Sequence, residues 1–360
     1  MPTTDVSGRD RVLTALAGEV PDRIPLALAF YRVDGHALAP PGRWRDDLVD
    51  VEFVAFPVSP EEEELRRRAA PFDGDTRLGS PSQVAHYATW SYHPERSRHA
   101  NPLERATTVA DLEAFPFPRL VGPRVVDDLA RQVDDVHRRG LAAGGNTPHL
   151  GGELLEAAWR LRGLENFLID LVRRKDMAHA LLDHLADLAR LNAATLTAAG
   201  VDVLALDDDV GMGATMMISP ATWREFFKPR LASVVEAARS VKPGLPVVYH
   251  SDGCVDPILD DLVEVGITAI NPVQPEYMDA RRIRRRFGHR LALWGTVGRQ
   301  ATFATGSPSD IQSEVRTRIE ELGRSGLILS PAYDVDEPDI PWENVAAFLD
   351  AGARWGAASA

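Results

Sequence analysis

Cysteine is nearly absent: Cys254 stands alone among 360 residues. A single thiol excludes an internal disulfide framework and any all-thiolate zinc or iron–sulfur site. Cations are outnumbered, with forty Lys and Arg against fifty-three Asp and Glu and a formal net charge of −13. That balance argues against nucleic acid or an anionic membrane as the main partner, because phosphate recognition needs clustered cations. No apolar run reaches membrane-spanning length, and the segment Met1 to Asp10 is polar, without the apolar core of a signal peptide. No G-x-G-x-x-G or Walker-type loop follows any apolar run, which removes the usual nucleotide signatures. Linkers rich in Gly and Ser and low-complexity tracts are missing as well. The remainder, 44% apolar and 26% charged, is the mix of a folded globular chain. A cytoplasmic enzyme or binding protein, folded as one domain over 1–360, is the expectation.

What is present is a series of short apolar runs that end in small or polar residues. They cover 23–30, 51–56, 140–145, 201–206, 246–249, 267–270, 291–294 and 327–329. Continuously apolar runs of this length suit parallel strands covered on both faces. Helical patterns lie between them. Pro257 to Val265 places Ile258, Leu259, Leu262 and Val263 on one face with acids between. Ser307-Pro308 and Ser219-Pro220 each offer a capping serine and a first-turn proline, and Pro341-Trp342-Glu343-Asn344 opens the last helix. About eight strands alternating with helices predict an α/β fold, a (β/α)8 barrel. Residues 31–123 do not fit the repeat and read as an amino-terminal elaboration over the barrel mouth. Their run Glu61-Glu62-Glu63-Glu64 followed by Arg66-Arg67-Arg68 reads as a solvated helix face.

Barrel chemistry sits where the strands finish, so the polar clusters there matter together. Asp207-Asp208-Asp209 is the densest. Side chains alternate along a strand, so Asp208 points opposite to its neighbours. Each of the three is either a solvated cap or a carboxylate that binds a cation, a metal or a polar substrate group. His250 ends the run Val247-Val248-Tyr249, with Asp252 two residues on and on the same side if the extended geometry continues. An imidazole there is a metal ligand or an acid/base near neutral pH. Asn271 and Gln274 offer amides suited to orienting a substrate. Glu156 opens a helix, where acids are favoured by the dipole in any case, or serves the site. Trp159, Trp294 and Tyr333 wall a pocket for an aromatic or apolar substrate, or belong to the core. Cys254 is a nucleophile or ligand, or more simply a small packed residue.

Several segments together resemble the uroporphyrinogen decarboxylase superfamily. They are Arg11 to Leu16 with Pro21-Asp22-Arg23-Ile24-Pro25, Leu161 to Phe167, Asp208 to Gly211, and Ser219-Pro220 to Arg230. His250-Ser251-Asp252-Gly253, Asn271-Pro272-Val273-Gln274 and Pro341 to Asn344 complete the set. The resemblance spans nearly the whole chain and implies a TIM barrel. That superfamily holds decarboxylases, thiol methyltransferases and corrinoid-dependent demethylases. The decarboxylases grip a polycarboxylate with paired arginines near the amino terminus, whereas Leu26 to His36 offers only Arg32. The chain therefore resembles the methyltransferase branch more closely.

Thiol-activating members of that branch hold zinc with His-x-Cys and a later Cys. Here His250 matches the histidine, Asp252 stands where the first cysteine would be, and Ala332-Tyr333 lies near the place of the second. The resemblance implies zinc held by His250 with carboxylates from Glu156, Asp208 or Asp252, or a lost metal with His250 left as an acid/base. A His/Asp set is harder than His/Cys/Cys. His250, Asp252 and Asp208 are the expected catalytic groups, with Asn271, Gln274, Trp294, Tyr333 and Trp159 around the substrate. Cobalamin carried by a separate corrinoid protein and a homodimer are further implications of the resemblance. The expected activity is transfer of a methyl group between a small methylated substrate and a cobalamin or thiol acceptor. The alternatives are a decarboxylase of a small carboxylic acid and a non-catalytic small-molecule-binding barrel.

Overall fold

The computed structural model describes residues 6–57 except 46, 101–147 except 102, 116, 118–120 and 122, then 152–298, 302–332, 335 and 340–357. In chain order the strands are β1 (Val51–Val54), β2 (Ala142–Asn146), β3 (Val203–Asp207), β4 (Gly211–Met212), β5 (Thr215–Met216), β6 (Val247–His250), β7 (Ala269–Asn271), β8 (Ala292–Trp294) and β9 (Leu327–Ile328). All but β4 and β5 form one parallel sheet in the order β1-β2-β3-β6-β7-β8-β9. Strands β4 and β5 make a small antiparallel hairpin after β3.

The sheet closes on itself through Pro25–Ala27. Leu26 bridges Leu329 in parallel. The Ala27 and Leu329 amides donate to Leu329 and Pro25 carbonyls at 2.9 Å, and the Asp50 amide donates to the Leu26 carbonyl at 2.9 Å. The run 23–30 thus supplies the eighth wall segment, and the α/β fold is the expected (β/α)8 barrel. Of the segment 31–123, residues 58–100 lie outside the described residues, and β1 within it is barrel wall.

Alternation along each strand separates two cores. Phe53, Val203, Ala205, Val248, Ala269, Ala292, Trp294 and Ile328 fill the interior of the barrel. Their sequence neighbours Val54, Leu204, Leu206, Val247, Tyr249, Ile270 and Leu293 face outward into the layer shared with the helices. This is why the runs are apolar at every position.

The first helices are α1 (Gly8–Leu16), α2 (Gly35–Leu38), α3 (Val109–Glu113), α4 (Pro123–Arg138), α5 (Leu155–Arg162), α6 (Leu164–Arg173) and α7 (Lys175–Ala198). They continue with α8 (Pro220–Phe226), α9 (Lys228–Val241), α10 (Leu259–Glu264), α11 (Ala280–Phe287), α12 (Pro308–Leu322) and α13 (Trp342–Gly356). Ser219 and Ser307 cap α8 and α12 through their side chains, the latter as a full capping box with Asp310. Helix α1 contributes Val12, Ala15 and Leu16 to the interior cluster and plugs the amino-terminal end of the barrel. No helix among the described residues is long and apolar enough to cross a membrane.

That plugged end is held by buried charge. Asp50 is 1% exposed and accepts from Arg11 at 2.7 Å, from Arg23 at 2.6 Å and from the Leu26 amide at 2.8 Å. It therefore ties α1 and the closing segment to β1. Removing one member of such a buried group leaves the others uncompensated. Asp50→Ala should lower the unfolding free energy by roughly 3–5 kcal/mol, measured by equilibrium urea unfolding; an unchanged midpoint would contradict this account of closure.

Candidate active site

The strand register decides which polar side chains meet. Val203 and Ala205 face inward, so Asp207 does too, and Val248 and Ala269 set the same facing for His250 and Asn271. Asp207 lies beside His250 in the β3–β6 ladder, and His250 beside Asn271 in the β6–β7 ladder. One inward row at the carboxyl ends of three strands thus reads Asp, His, Asn.

The imidazole of His250 is held by one hydrogen bond and one ring stack. Its Nδ1 lies 2.6 Å from Asn271 Oδ1, and Asn271 Nδ2 donates to the Trp294 carbonyl at 3.3 Å. That second bond sets the amide's orientation, so Asn271 Oδ1 is the acceptor and His250 Nδ1 carries the proton. Phe30 stacks on the ring at 3.7 Å with an interplanar angle of 15°. Nε2 is left with its lone pair, 3.7 Å from Asp209 Oδ1 and 3.9 Å from Asp207 Oδ1. Burial pushes the His250 pKa down, outweighing the opposing pull of Asp209 and the Asn271 hydrogen bond, and keeps the ring neutral.

Asp207, Asp209 and His250 offer one ligand atom each, all within 4.8 Å of one another. Burial raises the Asp207 carboxyl well above its ordinary range, and the neighbouring Asp209, Glu153, Glu156 and Asp208 add to the shift. All these neighbours are acids. Such a cluster attracts a cation and repels an anionic substrate.

The expected groups distribute differently from the sequence reading. Asp208 points away from the row, and its Oδ1 accepts the Leu155 and Glu156 amides at 2.7 and 3.2 Å, capping α5. Burial lifts its pKa to about 8. Glu156 is half-buried on α5, with Arg160 at 3.3 Å, outside the His250 group. Asp252 accepts from Gln274 at 2.8 Å, while its own amide donates to Asp209 Oδ1 at 2.6 Å. Gln274 also accepts the Gly253 amide at 2.7 Å, so this amide braces the loop after β6. That loop packs tightly on the hairpin: a Cβ on Gly211 would sit 2.1 Å from the Asp252 carbonyl, which restricts position 211 to glycine.

Trp294 is fully buried inside the barrel, its ring centroid 6.1 Å from that of Phe53. It stands in the interior on the strand next to Asn271, whose amide donates to its carbonyl. Trp159 is half-buried against the outer core with the Arg160 guanidinium over its ring at 4.6 Å. Tyr333 lies outside the described residues. Cys254 is buried among the outer-core side chains.

Asp207, Asp209 and Phe30 are the site residues that sequence reasoning did not select. The signal for the two acids was the alternation that already set Asp208 apart; what was missing was the inward or outward facing of β3. No local signal marked Phe30. One string, Asp135-Val136-His137-Arg138-Arg139-Gly140, does spell the corrinoid-binding pattern D-x-H-x-x-G. The structure places it at the end of α4, with His137 Nε2 2.7 Å from Asp202 Oδ2. Asp202 immediately precedes β3, so this histidine sits at the amino-terminal end of the barrel, away from the row.

A family model described as uroporphyrinogen decarboxylase (URO-D) matches residues 156–355. The chain belongs to the URO-D family. Among curated relatives, the methylcobamide:CoM methyltransferase MtaA of Methanosarcina barkeri is 27% identical over 248 residues, covering 66% of this URO-D chain and 69% of the relative. Uroporphyrinogen decarboxylase 2, chloroplastic, of Arabidopsis thaliana is 24% identical over 262 residues, covering 69% of this chain and 61% of the plant protein's length. A solved methyltransferase from Methanosarcina mazei superposes with a TM-score of 0.68 over 97% of this chain and 99% of its own, at 20% identity. That likeness carries the fold from one end of the chain to the other.

The raised Asp207 pKa has a consequence for stability in the absence of a cation. A carboxyl whose folded pKa lies above its unfolded value of 3.8 stabilises the fold while it keeps its proton, and that contribution is lost as pH rises through the folded value. Asp207→Asn is neutral throughout. In chelator-treated protein, its unfolding free energy should gain on that of the wild type as pH rises above the unfolded carboxyl value of 3.8. A pH-independent difference in thermal denaturation would contradict the assignment.

Proposed function

We propose that this URO-D chain transfers a methyl group between a small methylated substrate and a cobalamin or thiol acceptor, with a divalent cation held by Asp207, Asp209 and His250. The observation that carries the proposal is the neutral imidazole, locked through Asn271, whose Nε2 faces two carboxylates. The donor set suits the ion. Two carboxylate oxygens and one imidazole nitrogen balance a double positive charge and match zinc or a harder divalent metal. Ligand atoms held at about 2.0–2.2 Å around one ion stand about 3–3.5 Å apart, so separations of 3.7 and 3.9 Å need only a small closure.

Such an ion supplies Lewis acidity, polarising the heteroatom of a methyl donor or lowering the pKa of an acceptor thiol. The protein's own part is orientation. Asn271 holds the imidazole in one tautomer, Phe30 shields one face of the ring from water, and Gln274 holds the Asp252 loop whose amide steers Asp209. The likeness to the methylcobamide-dependent relative favours cobalamin presented by a separate corrinoid protein, since the D-x-H-x-x-G string lies away from the row. Decarboxylation of a small acid is less well supported. The methyltransferase relative, at 27% identity, stands above the decarboxylase relative at 24%.

The test combines metal analysis with methyl transfer. Protein purified without chelator should carry one equivalent of divalent metal and move the methyl group of methylcobalamin to a small thiol. His250→Ala should lose the metal and at least about 100-fold of the rate. Full activity in metal-free wild type, or carbon dioxide release with a proton entering the product, would overturn the proposal.

A further inference from the structure

Asp207 ends β3 at an unfinished strand edge, and Asp209 follows two residues on. The β2–β3 ladder ends at Asn146 beside Ala205, two residues short of Asp207. The Asp208 amide donates to the His250 carbonyl on the β6 side. Successive amides alternate, so the Asp207 amide points the other way, toward β2, where no ladder partner remains among the described residues.

Glu153 fills that place. Its Oε2 accepts the Asp207 amide at 2.6 Å, and its own amide donates to the Asp207 carbonyl at 2.8 Å. Its Oε1 accepts from the Thr147 hydroxyl, one residue beyond β2. A buried side chain therefore stands in for the next β2 carbonyl and links the ends of β2 and β3. The adjoining residues tighten the lock. Asp208 caps α5, and a Cβ on Gly152 would lie 2.7 Å from Asp208 Oδ1. Glu153 itself is not one of the three grouped ligands.

We infer that Glu153 is a positioning residue for the cation site: it fixes the end of β3 so that Asp207 and Asp209 both reach the Nε2 of His250. This inference rests on the cation reading of the preceding section. Partners behind metal ligands commonly govern metal affinity nearly as much as the ligands do.

Two variants separate reach from charge. Glu153→Gln keeps the length and the oxygen that receives the Asp207 amide, and its NH2 can donate to the Thr147 hydroxyl. Glu153→Asp keeps the charge but is one methylene too short. The readout is the Zn2+ dissociation constant from competition with a chromophoric chelator, with far-UV circular dichroism to confirm folding. Glu153→Gln should bind within about threefold of wild type, and Glu153→Asp about 10–100-fold more weakly. Glu153→Asp binding as tightly as wild type, or a lower melting temperature in either variant with affinity unmoved, would overturn the positioning role alone. Weakening confined to Glu153→Gln would show that charge acts instead of reach and would also overturn it. Wild-type protein that binds no Zn2+ would overturn this inference together with the cation reading.

Discussion

Parallel pairing of β3, β6 and β7 is the constraint on which the site depends. Hydrogen bonding between backbones sets Asp207 beside His250 and His250 beside Asn271, and the two-residue period of a strand turns all three side chains inward. A one-residue slip in any of these strands would send its polar group outward under the helices and bring an apolar residue to the mouth. The closed barrel resists that slip, because every strand is held on both sides and Pro25–Ala27 leaves no edge between β9 and β1. Local chemistry refines what the register begins. The Trp294 carbonyl orients the Asn271 amide, the amide puts the imidazole proton on Nδ1, and the lone pair is left on Nε2 toward the acids.

Charge is divided between the two ends of the barrel. At the amino-terminal end acids and bases are paired. Asp50 lies between Arg11 and Arg23, and Asp202 accepts from Arg9 and contacts His137, so these groups knit α1 and α4 to the strands. At the carboxyl-terminal end the acids gather with one another, and Asp207 is raised first by burial and then by Asp209, Glu153, Glu156 and Asp208. Groups that raise one another's pKa destabilise the fold unless a cation joins them. A fold that bears that penalty at its functional end and satisfies its charges at the other conforms to the general division of labour in such barrels.

Much of this was legible in the sequence. The runs at 201–206, 246–249 and 267–270 end within a residue or two of strands β3, β6 and β7, because burial on both faces writes strands as unbroken apolar segments. The Ser307 and Ser219 caps were readable because their chemistry is local. His250 was readable from its place at a strand end. The split within Asp207-Asp208-Asp209 was legible as a parity, but not which parity faced inward, since that depends on neighbouring strands distant in the chain. Asp252 reads as a catalytic group and Gln274 as a substrate-orienting amide; the structure joins the two by a hydrogen bond across twenty-two residues that no local pattern encodes. Glu153 precedes helix α5 by two residues, a place where an acid carries no distinguishing signal. Only the early end of the β2–β3 ladder reveals what it replaces.

The convergence of two carboxylates on the free nitrogen of His250 is most directly tested by X-ray absorption spectroscopy of the zinc-loaded protein. The account expects a first shell of oxygen and nitrogen only, at about 2.0–2.2 Å, including one imidazole. A sulfur scatterer at about 2.3 Å, which Cys254 would have to supply as the lone thiol, or a shell without imidazole, would contradict it.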